Sequence, residues 1–443
     1  MKKFYDDNVL LTNETSKHIY EAIKDLPIVD FHCHLDPEAI ATNPLVEDIG
    51  KLWMGGDHYK WRAMRLNGIE EKYITGDASY KEKFIKYASI MPNLIGNPLY
   101  YWSHLELKEI FGINEPLNES SALKIYEDAN KIAKNMHIRD LFKKFNVKYV
   151  CTTDDPTSDL KYHGIYDGVK ILPTFRPDKL FRLSEEYLNE LAKSANKEIN
   201  DLDDLLSVIN SRLDFFVSKG AVISDQSFEY FPSIYPTIEE ARVLFIKRDN
   251  WKDSDYEAFL GFMLTYLAKE YKKRDMTMQI HFDVTRNVNS DEFKACGPDT
   301  GFDIISNPID IKNVIKFLNN IKDEERPNII LYTLNDENLK ALACLTGAFR
   351  NVSIGPAWWF NDTVLGIKHN LNVIAEYSFL GNNMGMLTDS RSFASYVRFD
   401  LFRRVLASYI GELVENGEYD ENSAIELATN ISYKNANKLV KGE

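Results

Sequence analysis

The sequence predicts an α/β fold: a (β/α)8 barrel with a helical insertion after its first strand. Three observations lead there. Eight short apolar runs recur along the 443 residues, stretches with helical spacing separate them, and nearly every run ends in chemically useful polar residues. Barrel active sites gather at the C-terminal strand ends, so these ends would converge on one mouth. A doubly wound open sheet is the alternative. It is disfavoured because neither G-x-G-x-x-G nor a P-loop follows any run. A hydrophobic content of 44% supports a large core, and barrels with insertions reach this length as one unit.

The first run, Leu26-Pro27-Ile28-Val29-Asp30-Phe31, leads into His32-Cys33-His34. Residues 1–37 hold the N-terminal segment and this strand. Residues 38–146 read as the helical insertion. Segments 80–87 and 122–129 have helical spacing, and Pro92, Gly96, Pro98, Gly112 and Pro116 break the region into pieces. Residues 147–443 carry the rest of the barrel, with runs at 147–153, 169–175, 221–224, 276–280, 328–333, 352–355 and 384–388. Between them, 183–219, 234–274, 310–323, 336–349 and 363–380 are predicted helical.

A formal net charge of −14 argues against broad nucleic-acid or membrane-surface binding. An anionic substrate would need a local arginine cluster working against that charge. Cys33, Cys151, Cys296 and Cys344 are scattered without a C-x-x-C pair, which fits a reducing compartment. The N-terminus lacks the apolar core of a signal peptide, and no run approaches the roughly 18–20 residues of a membrane span. The expected location is cytoplasmic. Barrels with helical insertions often self-associate, so a homo-oligomer is compatible with the sequence, although no segment marks an interface.

His32 and His34 would project side by side from a strand end, with Cys33 on the other face. A lone histidine is more often a satisfied core residue, but an H-x-H pair in this place reads as half of a metal site. A catalytic ion needs a further ligand, preferably a carboxylate. Asp389, ending the eighth run, is chosen because strand eight lies beside strand one when a barrel closes. His281, ending the fifth run, is a fourth ligand or a substrate contact. Asp389 and Arg391 share a face if the strand continues that far. They form either a surface ion pair or a carboxylate beside a guanidinium that clamps an anion. Arg176 sits in a turn stiffened by prolines and either recognises a carboxylate or holds its own loop. Gly55-Gly56 would let a loop reach over the site, making His58 and Tyr59 exposed candidates for acid–base work or hydrogen bonds to sugar hydroxyls. Trp61 and Arg65, at i and i+4, are positioned to pack together. Of Trp358 and Trp359, at least one packs at the barrel edge, and an exposed ring would stack on a sugar face. Arg286, past His281, joins the polar strand ends as a substrate contact.

Taken in order, DFHCH (30–34), GGDHYKWRAMR (55–65), CTTDDP (151–156), LPTFRPD (172–178), GPAWWFND (355–362) and GMLTDSR (385–391) closely resemble the uronate isomerase (glucuronate isomerase) family of the amidohydrolase superfamily. The resemblance runs from about residue 8 to the C-terminus. It implies a distorted (β/α)8 barrel of the metal-dependent hydrolase type. It implies interconversion of D-glucuronate with D-fructuronate in hexuronate catabolism, and of D-galacturonate with D-tagaturonate as the usual second reaction. On matched positions it implies His32, His34 and Asp389 at a divalent metal, commonly Zn2+, with His58, Tyr59, Arg176, Trp358 and Arg391 around the substrate. Two positions depart from the family pattern. Asp225-Gln226 stands where Asp-His is usual after strand four, and Asp283 stands where glycine is usual.

Such an isomerisation moves a proton between carbons 1 and 2 of the open-chain sugar through an enediol. It needs a base and stabilisation of the enediolate oxygen. The expected base is Asp389, with Arg391, Tyr59 and the metal supporting charge or shuttling protons, and Arg176 holding the sugar carboxylate. One rival is a metal-dependent hydrolase. Hydrolytic relatives often carry a lysine ending strand four and a histidine ending strand six, where this chain has Ser224-Asp225-Gln226 and Thr333-Leu334-Asn335-Asp336. The other rival is a non-catalytic sugar-acid binding relative, which the presence of Asp389 and both histidines argues against.

Overall fold

The period of two along each strand decides what faces the barrel interior. The computed structural model describes residues 3–442. Its strands are β1 (Ile28–Asp30), β2 (Val147–Asp154), β3 (Gly164–Tyr166), β4 (Val169–Phe175), β5 (Ile223–Ser227), β6 (Thr277–Phe282), β7 (Val284–Thr285), β8 (Ile304–Ile305), β9 (Ile329–Thr333) and β10 (Val352–Ile354). Seven of them, β1-β2-β4-β5-β6-β9-β10, pair in that order and in parallel. β3 pairs antiparallel with β4, and β7 and β8 form a separate hairpin. This is the expected α/β barrel architecture, curled into a half-barrel.

In β6, Met278, Ile280 and Phe282 pack outward under the helices. Gln279 and His281 take the other parity, and Gln279 accepts from the Tyr332 hydroxyl of β9 at 2.6 Å. β9 repeats the pattern, with Ile329 and Leu331 outward and Ile330 and Tyr332 inward. Every residue of both strands is buried, as parallel sheets covered on both faces require. Each such aliphatic side chain contributes roughly 1.5–3 kcal/mol on burial.

Between β1 and β2 the chain is helical, from Pro37–Thr42 through Ile49–Met54, His58–Leu66, Tyr80–Ile90, Pro98–Phe111 and Ala122–Ala133 to Ile138–Lys144. Local chemistry sets the breaks. Ser79 and Glu82 form a reciprocal capping box, and Gly112, at φ +67, ends the helix begun at Pro98. The helix His58–Leu66 starts on Asp57, whose carboxylate accepts the N–H groups of Tyr59 and Lys60. Trp61 and Arg65 take other partners than each other: Trp61 donates to the Met54 carbonyl, and Arg65 pairs with Glu71 under the Phe302 ring. The predicted helical stretches after β2 contain Glu185–Ala195, Leu202–Ser218, Ile238–Ile246, Asp253–Lys273, Ile311–Asn319, Asp336–Leu345 and Val364–Tyr377. A further long helix, Val397–Glu415, packs on the N-terminal helix Glu14–Ile23.

Two expectations are corrected at the seam. β1 stops at Asp30, before the histidines, and the eighth run is not a strand. Gly385 at φ +76 and Asp389 at φ +43 bend the eighth run into the left-handed region. Side chains replace its ladder. The Asp30 carboxylate accepts the Thr388 N–H at 2.9 Å and its hydroxyl at 2.6 Å, and Asn383 Oδ1 accepts the Gly385 N–H at 2.8 Å. Two backbone bonds still tie the run to the chain after β1: Asp389 N–H to the His32 carbonyl at 3.1 Å, and His34 N–H to the Ser390 carbonyl at 3.0 Å. Among the described residues, no helix is long and apolar enough to cross a membrane.

Candidate active site

A cavity of about 380 Å3 opens at the C-terminal ends of the parallel strands. Small-molecule sites usually fall in the range of roughly 300–1,000 Å3. All the site residues expected from sequence line it. His32 and His34 follow β1, His58 and Tyr59 open their helix, and Arg176 follows β4. His281 comes from β6 and Arg286 from beyond it, Trp358 and Trp359 follow β10, and Asp389 and Arg391 lie on the eighth run.

Asp389 is the hub. Its Oδ1 lies 3.2 Å from His32 Nε2 and 3.1 Å from His34 Nε2, and its Oδ2 accepts the Trp358 indole N–H at 2.7 Å. Burial pushes this carboxyl up, but the His32 and His34 imidazoles beside it outweigh burial and hold it well below the usual carboxylate range. Burial lowers His34 to about 4, so its ring is neutral. The Thr153 hydroxyl donates to the Cys33 carbonyl and accepts from His34 Nδ1 at 2.7 Å, which leaves the His34 Nε2 lone pair facing Asp389. His32 behaves oppositely. Burial lowers it, yet Asp225 and Asp389 on either side raise it overall. This spot therefore draws positive charge. The three ligand atoms of His32, His34 and Asp389 lie within 4.8 Å of one another. Lone pairs facing a carboxylate oxygen repel unless a cation sits among them, and two imidazoles with one carboxylate suit a divalent ion that keeps open positions. The residues present fit a divalent metal.

A second group, His32, Asp225 and His281, adjoins the first. Its carboxylate is already compensated, by Arg176 Nη1 at 2.9 Å and His281 Nδ1 at 2.7 Å. An ionised carboxylate only accepts, so His281 carries its proton on Nδ1, and Nε2 is buried without a partner. His281 thus belongs with Asp225 and Arg176 and not with the His34–Asp389 cluster. Arg176 also binds Asp178 through Nε at 2.9 Å, so it holds its loop while lining the cavity.

Sequence reasoning missed the acid at the rim. Asp299, between β7 and β8, lies 2.8 Å from Arg391 Nη2 and 4.0 Å from Arg286 Nη1. The segment around it is docked by Arg62 and Arg65 onto the carbonyls of Thr300, Gly301 and Asp303. Its only local signal was the pair of flanking glycines, Gly297 and Gly301. Asp225, a strand-end acid in the sequence, was likewise not picked out as a site residue. Two exposures are corrected. His58 and Tyr59 are half-buried, and the Tyr59 hydroxyl is buried without a partner. Trp358 and Trp359 are only 4% and 6% exposed. They pack against each other, with Trp358 on His281 and Trp359 on His58, instead of offering an open platform, and Trp358 uses its N–H on Asp389.

The sequence profile of the glucuronate isomerase family matches residues 1–440. The chain belongs to the glucuronate isomerase family. It is an isomerase acting on a small sugar acid, which sets aside the hydrolase and binding-protein readings. The uronate isomerase of Caldicellulosiruptor bescii is 42% identical over 458 residues, spanning 98% of this chain and 99% of the relative. The crystal structure of uronate isomerase from Thermotoga maritima superposes with a TM-score of 0.96 at 33% identity, covering 99% of this chain and 100% of that one. Glucuronate isomerase from Caulobacter crescentus gives 0.93 at 25% identity, over 99% and 97%.

Both departures from the glucuronate isomerase pattern fall outside the cavity lining. Gln226 has the opposite strand parity to Asp225 and donates outward to the Tyr271 hydroxyl at 2.9 Å. Asp283 sits at φ +71, a conformation glycine adopts without strain. Here its carboxylate accepts from the Thr333 hydroxyl and from Asn338 Nδ2, and these bonds hold the aspartate in place.

Proposed function

We propose that this enzyme interconverts D-glucuronate with D-fructuronate, and D-galacturonate with D-tagaturonate, by proton transfer between carbons 1 and 2. The carrying observation is Asp389: a half-buried, ionised carboxylate fixed by an indole N–H inside a cavity rimmed by Arg176, Arg286 and Arg391. The hydrogen on carbon 2 is acidified only by the neighbouring carbonyl, so a base must be held against it. Asp389 removes that hydrogen while Tyr59 gives its proton to oxygen 1, forming the enediol. Tyr59 then recovers a proton from oxygen 2, and Asp389 returns its proton to carbon 1. The Tyr59 hydroxyl, which has no protein partner, is free for this exchange. Arg391 stabilises the enediolate oxygen. Arg176 holds the sugar carboxylate, countering the net charge of −14. His58, His281, Arg286, Trp358 and Trp359 orient the remaining hydroxyls and exclude water.

His32, His34 and Asp389 would hold the divalent ion, Zn2+ in this reading. When bound, it supplies Lewis-acid polarisation of a sugar oxygen.

Asp389→Asn is expected to lower kcat by about 10²–10⁴-fold, the usual worth of a general base. It should also stop exchange of the carbon-2 hydrogen with solvent in a protein that remains folded. NMR of the sugar in D2O reads this directly, and exchange at the wild-type rate would sink the base role.

A further inference from the structure

Arg398, the second residue of the helix Val397–Glu415, lies beneath the cavity and is 2% exposed. Its Nη1 donates to the Thr388 carbonyl at 2.6 Å, on the peptide that leads into Asp389. Its guanidinium carbon lies 3.8 Å from the centroid of the Trp102 ring and 5.2 Å from that of Tyr59. One buried cation thus touches the backbone beside one reacting residue and the ring of the other.

This setting is poorly built for stability. The nearest carboxylate, Asp362, is 3.9 Å away, and Asp57 is taken by Lys60 at 2.6 Å. A buried guanidinium without a close, bidentate carboxylate keeps much of its desolvation cost. Asp389 needs a clamp, because its φ of +43 is one that side chains rarely adopt. On one side of Thr388, Asp30 binds the N–H and hydroxyl, and on the other Arg398 takes the carbonyl. The Tyr59 hydroxyl has no protein partner, so ring contacts set where its oxygen points. Those contacts are Arg398, His58 at 4.8 Å and Trp102 at 5.7 Å between centroids.

We propose that Arg398 is a positioning residue: without touching the sugar, it holds Asp389 and Tyr59 in register for the two proton transfers. Its charge also lies against the ring on which negative charge develops as Tyr59 gives up its proton. The inference rests on the assignment of Asp389 and Tyr59 given above.

Kinetics and carbon-2 hydrogen exchange on metal-restored Arg398→Met and Arg398→Lys test it. R398M should lose about 100-fold in kcat, the cost of a misplacement of about 1 Å, with KM within about threefold of wild type. Exchange should fall in step. R398K keeps the charge and one donor, and should recover roughly tenfold of that loss. Arg403→Met is the control. Arg403 lies on the same helix but donates only to the carbonyls of Lys24, Leu26 and Pro27, so R403M should lose thermal stability and keep kcat. Wild-type kcat in folded R398M overturns the proposal, as does an equal kcat loss in R403M. If R398M does not fold, R398K decides: a lower kcat at unchanged KM supports the proposal, and a wild-type kcat overturns it. D389N and Y59F run alongside. Full activity in either fails the parent assignment, whereas their inactivity beside a fully active R398M fails only the positioning role.

Discussion

Asp283 shows how a single residue can sit where rules of thumb forbid it. Its left-handed backbone favours glycine, yet its carboxylate caps Thr333 and Asn338 in a buried corner. Glycine would remove the strain and the two bonds together. Asp283→Gly is therefore expected to change stability by less than about 1 kcal/mol and leave kcat intact, since the residue does not line the cavity. Asp283→Ala keeps the strain and loses the bonds, and should cost about 1–3 kcal/mol. Urea melts of the pair, with kinetics on both, check this. A large kcat loss in D283G would put this corner inside the catalytic machinery after all. At this scale the sequence was informative where residue type carries chemistry, as with His32, His34, Asp389 and the arginines. It was silent on Arg398, because an arginine on an amphipathic helix reads as a solvated charge until tertiary packing buries it.

Among the elements, the helix Pro98–Phe111 carries a histidine with a fixed tautomer. His104 Nδ1 donates to the Tyr100 carbonyl at 2.7 Å, and its Nε2 accepts the Leu117 N–H at 3.0 Å. Both bonds require the neutral ring, and burial holds its pKa down at about 4. The unfolded chain titrates near the ordinary value of about 6.5, so it takes up the proton first as pH falls. Stability from this group is complete above about 6.5 and lost progressively down to about 4, at up to about 1.4 kcal/mol per pH unit. Comparing urea midpoints of wild type and His104→Gln at pH 5 and pH 7 isolates it. Equal pH dependence in the two proteins would contradict the assignment. Elements also show why part of the fold was unreadable. The run 384–388 has the composition of a strand, but its ladder partner is the carboxylate of Asp30, and no local pattern announces a side chain standing in for a carbonyl. The hairpin of β7 and β8 is too short, and Ile304 and Ile305 too exposed, to give a periodic signal.

For the whole molecule, the cation-seeking cluster links the ends of the barrel. A divalent ion that binds only the folded state stabilises it by mass action, by about 4 kcal/mol at a thousandfold excess over Kd. Adding Zn2+ to exhaustively chelated protein is expected to raise the thermal midpoint, and His34→Ala to abolish most of that rise. Activity should be lost on chelation and return with the ion. A chelated, folded protein with undiminished turnover would contradict the Lewis-acid part of the mechanism. The barrel architecture itself was legible because its strands are continuous apolar runs, whereas the openness of its seam depends on contacts between the two ends of the chain.

That seam also has a place in time. His32 and Asp389 are separated by 357 residues. At a synthesis rate of about 5–20 residues per second, roughly 20–70 s pass between the emergence of the histidine pair and that of its carboxylate. The insertion helices can collapse in that interval, but the His32–His34–Asp389 cluster, the two seam hydrogen bonds and the Arg398 clamp all wait for about the last eighth of the chain. A nascent or truncated protein ending before Asp389 carries both imidazoles without the group that turns them into a site.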